Sequence, residues 1–244
     1  YESHINISDV NYIIEGESPE LAEFKAAPAS PEDRRIAESI VDRIRNESTL
    51  QLGIGAVPNA IGGLLAESDI RDLGGHSEVI VDSFMNLYYA GKLTNKKKVD
   101  KGLTVYTAAV GSKALYDFID DNPICCAAPV DYVNSVHTIS QIDNFISINS
   151  CVGVDLYGQV CSESSGFRQL TGTGGQLDFV LGAFLSKNGK SFMCTHSTRT
   201  KPNGEVVSLI HPTLPRGSII TTPRTATHYV VTAVSYTHLT LPTK

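Results

Sequence analysis

The chain has 244 residues, 41% apolar and 19% charged, enough to bury a substantial core and unlike the composition of a disordered segment. Its formal charge of -6 gives no electrostatic reason to expect nucleic acid or an anionic membrane as a partner. No uninterrupted apolar segment is long enough to cross a bilayer, and no basic start leads into an apolar signal.

Five cysteines stand at irregular spacings, none in a Cys-x-x-Cys pair, and no histidine spacing resembles a zinc site. They read as small buried apolar side chains in a reducing cytoplasm. Lys96, Lys97 and Lys98 read as a solvated surface turn.

In chain order, residues 1–29 alternate briefly and end in the Ala/Pro-rich connector "EFKAAPASP", a boundary of a preceding unit. Ser30-Pro31-Glu32-Asp33 supplies a hydroxyl cap, an early proline and an acid three residues after the cap. Ile36, Ile40 and Ile44 then recur every fourth residue, predicting a helix to about Arg45. A short strand at 49–52 runs into the glycine turn Gly53-Ile54-Gly55 and a following helix. Val79–Val81 starts a buried strand, followed by a helix through Phe84, Leu87 and Tyr88. Residues 103–109 are strand-like, and 112–119 form a short helix. Strands are then expected at 145–148, 152–156, 192–195, 206–210, 219–222 and 229–232, with one helix through Phe179, Val180 and Phe184. Helices among apolar strands predict a layered α/β domain with an open sheet, whose later half adds antiparallel strands.

Four stretches carry candidate chemistry. "QLGIGAVPNAIG" has glycines between strand and helix but lacks the third glycine of a dinucleotide fingerprint. Such a turn lets a ligand approach the backbone, with helix N–H groups ready for an anion. "GGHSEVIVD" sets Glu78 between two glycines and an apolar run, one helix and a loop beyond that turn. Glu78 is then either a surface carboxylate or a group at the strand-end edge where open α/β sheets bind ligands. "TGTGGQLDF" is a polar glycine loop (Gly172, Thr173, Gly174, Gly175) opening a helix at Gln176, with no P-loop Gly-Lys-Ser/Thr. Just upstream, Glu163 and Arg168 read as surface or ion-paired residues. "VDYVNS" offers Tyr132 and Asn134 as cleft-lining or ordinary loop residues, while His196 and His211 read as structural.

Taken in order, "LQLGIGAVPNAIG", "GGHSEVIVDSFMNLYYAGKLTN", "PVDYVNS", "ISINSCVGVDLYGQVCSESSG" and "RQLTGTGGQLDFVLGA" resemble the acetyl-CoA hydrolase/transferase family. The likeness is greatest to its butyryl-CoA:acetate and 4-hydroxybutyrate CoA-transferase branch, and it extends to about Val231. It implies a CoA-transferase domain within a two-domain protein. Residues 1–29 would be the end and linker of the N-terminal domain, and 30–232 the C-terminal domain. Residues 233–244 would be a tail foreign to the family.

The resemblance implies ping-pong transfer of coenzyme A between an acyl-CoA and a short-chain carboxylate. Glu78 would be the nucleophile, Gly53, Ile54 and Gly55 the backbone near the reacting carbonyl, and Gly172, Thr173, Gly174, Gly175 and Gln176 the CoA-binding loop. No metal or redox cofactor has a role in that scheme, in which coenzyme A is a substrate, and a homo-oligomer is implied for the parent. A hydrolase, in which water resolves the intermediate, and an inactive acyl-CoA-binding fragment are the alternatives. Two positions depart from the family pattern: Gly153 stands where a glutamate is usual, and Ala233 where the family continues Glu-Tyr-Gly.

Overall fold

The structure is a computed structural model that describes residues 4–24 and 27–238. Residues 1–3 and 25–26 of the expected leading segment, and 239–244 of the expected tail, lie outside the described residues. Residues 4–24 hold one 3-10 turn (Ile7–Asp9) and are otherwise exposed and irregular. They are fastened where Phe24 N–H donates to Gly111 O at 2.9 Å and Tyr116 Oη donates to Ala22 O at 3.0 Å.

The first half alternates helix and strand. It comprises α1 (Pro31–Val41), β1 (Thr49–Leu52), α2 (Ala56–Glu67), β2 (Gly74–Ile80), α3 (Asp82–Tyr89), β3 (Thr104–Ala109), α4 (Lys113–Ile119) and β4 (Cys125–Ala127). Two short helices follow, α5 (Val130–Val133) and α6 (Val136–Ser140), and then β5 (Phe145–Ser150). The small strands β6 (Gly153–Asp155), β7 (Val160–Cys161), β8 (Ser164–Ser165) and β9 (Arg168–Gln169) precede α7 (Gln176–Leu185) and β10 (Lys190–Cys194). The remainder is β11 (Thr198–Thr200), β12 (Val206–Ser208), β13 (Ile210–His211), β14 (Tyr229–Val231) and β15 (Tyr236–His238).

Eight strands form one open sheet in the order β15-β14-β10-β5-β1-β2-β3-β4, parallel except for the β14–β15 pair. The chain winds outward from β1 through β2, β3 and β4, then returns to the other side of β1 with β5 and continues through β10 and β14. The reversal between β1 and β5 is a topological switch point, where the strand ends open a crevice.

Successive strand residues point to opposite faces. Tyr106, Cys125 and Ile146 therefore join one core with Ile36, Ile61, Phe84 and Leu115 of α1–α4. Val105, Cys126 and Phe145 join another with Val133, Ile139 and Phe179 of α5–α7. The result is a three-layer α/β domain with a mixed open sheet. Among the described residues, no helix is long and apolar enough to cross a membrane.

Several local expectations need correction. The capping box at Ser30 and Asp33 forms, but α1 ends at Val41 because the N–H groups of Arg43 and Ile44 bond three residues back, to Ile40 O and Val41 O, as in a tightened turn; Ile44 is nonetheless buried beyond the helix. Strand β2 begins at Gly74 rather than Val79, so the glycine pair lies inside the sheet. A Cβ on Gly74 would sit 2.8 Å from Thr49 Oγ1, and one on Gly75 2.7 Å from Thr104 Cγ2, so the crowding comes from the two flanking strands. Residues 219–222 make a single bridge, Val160 to Thr222, rather than a strand. Residues 206–210 split between β12 and β13, and the "CCAAP" stretch holds an additional strand, β4. Lys97 is buried, not solvated: its ammonium donates to the carbonyls of Val99 and Asp100 at 2.9 and 3.0 Å, and burial pushes its pKa down to about 8.

His76, fully buried in β2, ties the sheet to α5. Its Nε2 lies 2.8 Å from Val133 O, an acceptor, so Nε2 carries the proton and the buried Nδ1 has no partner among the described residues. Protonating Nδ1 would bury an unpaired charge, and burial holds the His76 pKa down to about 4.

Two predictions follow from this packing. A Cβ on Gly182 in α7 would fall 2.4 Å from Ile139 Cγ2, whereas Gly63 in α2 has nothing within 4 Å. Gly182→Ala is expected to destabilise by about 1–3 kcal/mol through overpacking, and Gly63→Ala to stabilise by up to about 1 kcal/mol, read by urea denaturation. Below about pH 6.5 the unfolded chain binds a proton that folded His76 refuses until about pH 4, so stability falls as pH drops through that window. The loss from this group is about 3 kcal/mol. His228, also held to about 4 by burial, adds to it. Urea midpoints at pH 7.5, 5.5 and 4.5 are expected to show a shallower pH slope in His76→Gln than in the parent.

Candidate active site

Glu78 lies two residues before the end of β2. His76 faces the α5–α7 layer, against Phe145 and Phe179; two residues on, Glu78 leaves the same face. There it meets the start of α7, whose capping residue Gly175 donates its N–H to Glu78 Oε2 at 2.8 Å. The N-terminal end of a helix favours a negative charge at that point.

The approach is close. A Cβ on Gly175 would stand 2.7 Å from Glu78 Oε2 and 2.3 Å from Asn134 Nδ2. Only glycine leaves room here for the carboxylate and the amide together. Gly174 precedes it at φ +57, a left-handed conformation that glycine adopts without steric cost. Asn134 caps the C-terminal end of α5, and its buried Oδ1 has no hydrogen-bond partner among the described residues. The His76 bond to the neighbouring Val133 carbonyl holds that segment in place. Asp178, in the first turn of α7, has its carboxyl pKa raised, first by burial and then by the negative charge of Glu78.

The glycine turn sits across the crevice. Leu50 pairs with Gly75 in register, and Ser77 Oγ donates to Leu52 O at 3.3 Å, so Gly53 follows β1 level with Glu78 on β2. Gly53 N–H donates to Ile148 O at 2.9 Å, which fastens the turn to β5. Gly55 has φ +137 and caps α2, and Ile54 is exposed. The N–H groups of Ile54, Gly55, Gly172, Thr173 and Gly174 donate to no acceptor among the described residues. The Gln176 side-chain amide donates to Thr222 Oγ1 at 3.0 Å.

Beneath the turn lies a buried polar network absent from the sequence reading. The Gln51 and Asn149 side chains exchange two hydrogen bonds of 3.1 Å, and Ser147 Oγ donates to Gln51 Oε1 at 2.6 Å. The signal for it is the alternation of polar residues at 147 and 149 with Ile146 and Ile148, at and just beyond the end of the strand expected at 145–148. Glu163 is also buried, bonded to hydroxyls and an amide rather than to a cation, whereas Arg168 is exposed. His196 lies 2.8 Å from Asp33 at the start of α1. All five cysteines are free, four of them buried.

The model of the acetyl-CoA hydrolase/transferase C-terminal domain matches residues 111–241. The butyryl-CoA:acetate CoA-transferase of Anaerostipes caccae is 51% identical over 95% of this chain and 52% of its own length. The 4-hydroxybutyrate coenzyme A transferase of Clostridium kluyveri is 45% identical over 98% of this chain and 54% of its own. The crystal structure of RipA from Yersinia pestis superposes with a TM-score of 0.86 at 41% identity, covering 96% of this chain and 52% of that one. The chain thus spans about half the length of the relatives it matches. With the family model matching over half of its residues and relatives near 50% identity along nearly all of it, the chain belongs to the acetyl-CoA hydrolase/transferase family.

Proposed function

We propose that this chain carries the nucleophile of a CoA-transferase that moves coenzyme A between a short-chain acyl-CoA, butyryl-CoA or 4-hydroxybutyryl-CoA, and acetate. The observation that carries this reading is the Glu78 carboxylate held at 2.8 Å by the Gly175 N–H, level with the glycine turn after β1. The relatives' substrates support the choice of acyl group and acceptor. Residues 30–232 form the proposed catalytic unit, and 1–29 the connection to a preceding domain.

In this mechanism a Glu78 oxygen attacks the thioester carbonyl, and the C–S bond breaks to release CoA thiolate and leave an acyl-glutamyl anhydride. The thiolate attacks the glutamyl carbonyl; the anhydride C–O bond breaks, freeing the carboxylate and leaving a glutamyl-CoA thioester. Acetate then runs the sequence in reverse, leaving as acetyl-CoA and regenerating Glu78. A carboxylate is a weak nucleophile toward a thioester, so orientation by the Gly175 donor supplies much of its competence. The N–H groups of Ile54 and Gly55 are available to an oxyanion developing in each tetrahedral intermediate.

Trapping tests the scheme. After incubation with butyryl-CoA, hydroxylamine is expected to convert Glu78 to its hydroxamate, located by peptide mass spectrometry; absence of a CoA-dependent change there overturns the mechanism. Glu78→Gln is expected to abolish the label and to lower transfer by about 10³-fold or more, once deamidation is checked. An acceptor panel of acetate, butyrate, 4-hydroxybutyrate and water distinguishes transfer from hydrolysis. Gly175→Ala, whose methyl displaces the Glu78 and Asn134 side chains, is expected to slow labelling by about 10²-fold.

A further inference from the structure

The loop that meets Glu78 is pinned on both sides of its glycines, and one pin is a buried carboxylate. Glu163 is 4% exposed. Its Oε2 accepts from Thr173 Oγ1 at 3.1 Å and from Gln169 Nε2 at 3.4 Å, and its Oε1 accepts from Thr221 Oγ1 at 3.0 Å. Its main-chain carbonyl accepts from the N–H groups of Leu170 and Thr171, at 2.8 and 3.3 Å. Among the described residues, no cation lies within 4 Å of it.

A buried carboxylate without a counter-ion is costly, and burying a neutral residue of similar size would spare that cost. The bonds it makes are therefore informative. Thr173 lies two residues before Gly175, and Thr221 belongs to the strap that bridges to Val160 through Thr222. Thr222 in turn accepts from Gln176, the residue after Gly175. One strap thus holds the loop on either side of Gly174-Gly175: Glu163 through Thr173 before them, Thr222 through Gln176 after them.

We propose that Glu163 is a positioning residue that holds the Thr171–Gly175 loop so that the Gly175 N–H stays on Glu78. It acts through hydrogen bonds, not through its charge. The consequence for transfer rests on the proposed role of Glu78, while the positioning itself does not.

Hydrogen exchange of the whole chain, followed by mass spectrometry, tests it with Glu163→Ala and Glu163→Gln. Glutamine keeps an oxygen for Thr173 and can donate its amide to the Thr221 hydroxyl. In Glu163→Ala, exchange of the Gly175 N–H, read in peptides spanning residues 170–177, is expected to rise about tenfold or more, with β1, β2 and β5 unchanged. In Glu163→Gln it is expected to stay within about threefold of the parent. Labelling of Glu78 at saturating butyryl-CoA is expected to follow the same order, falling about tenfold in the alanine variant and recovering in the glutamine variant. Unchanged loop exchange in both variants overturns the proposal. So does a glutamine variant as defective as alanine, which would make the charge the requirement, or exchange raised throughout the sheet, which would make the role a general structural one. Loop exchange that responds as expected while Glu78 takes no label in the parent retains the positioning and rejects the transfer mechanism.

Discussion

The contact on which the site depends is the approach of a helix N-terminus to a strand carboxylate, the Gly175 N–H on Glu78 Oε2. It joins two residues 97 positions apart in the chain. The approach is possible because residue 175 has no side chain: a methyl there would overlap both Glu78 and Asn134. A donor fixed in this way need not reorganise when charge moves, whereas water would. The same geometry raises the Asp178 carboxyl, because burial and the neighbouring charge both oppose its ionisation.

The rest of the domain makes that approach rigid. Glycines at 74 and 75 let β1 and β3 close on β2, and His76 locks β2 to the α5 segment that ends at Asn134. On the opposite side of the crevice, the Gln51–Ser147–Asn149 network joins β1 to β5 beneath the glycine turn. A buried polar network costs little when every member is paired, and it tolerates only one register between its strands. The switch point between β1 and β5 therefore serves as a rigid floor, while the loop opposite is held by side-chain bonds from Glu163 and Thr222.

Much of the fold was legible because it rests on local signals. Ser30 and Asp33 announce a helix, the run around Val105 a buried strand, and glycine before Gln176 the opening of another helix. The misreadings share a cause. Gly74 and Gly75 resemble a turn but sit in a strand, because glycine serves close strand packing as well as it serves turns. Lys97 reads as a surface charge, yet it is buried against carbonyl oxygens that lie close to it in sequence but are oriented only by the folded loop. Glu163 reads as a surface or ion-paired acid because its hydroxyl partners lie 10 and 58 residues away.

By itself, the amino-acid sequence determined the alternation of helices and strands from α1 to α4, apart from β4, and with it the layered α/β class, the family likeness and the candidacy of Glu78. Periodicity, caps and motif spacing are properties of neighbouring residues, so they survive in one dimension. The tertiary structure alone decided which sheet face Glu78 leaves and that Gly175 is the donor it meets. It also decided that Gln176 turns to Thr222 and that Glu163 is enclosed. Those outcomes depend on strand register and on how α7 docks across the sheet, since a shift of one residue in β2 would turn Glu78 to the opposite layer.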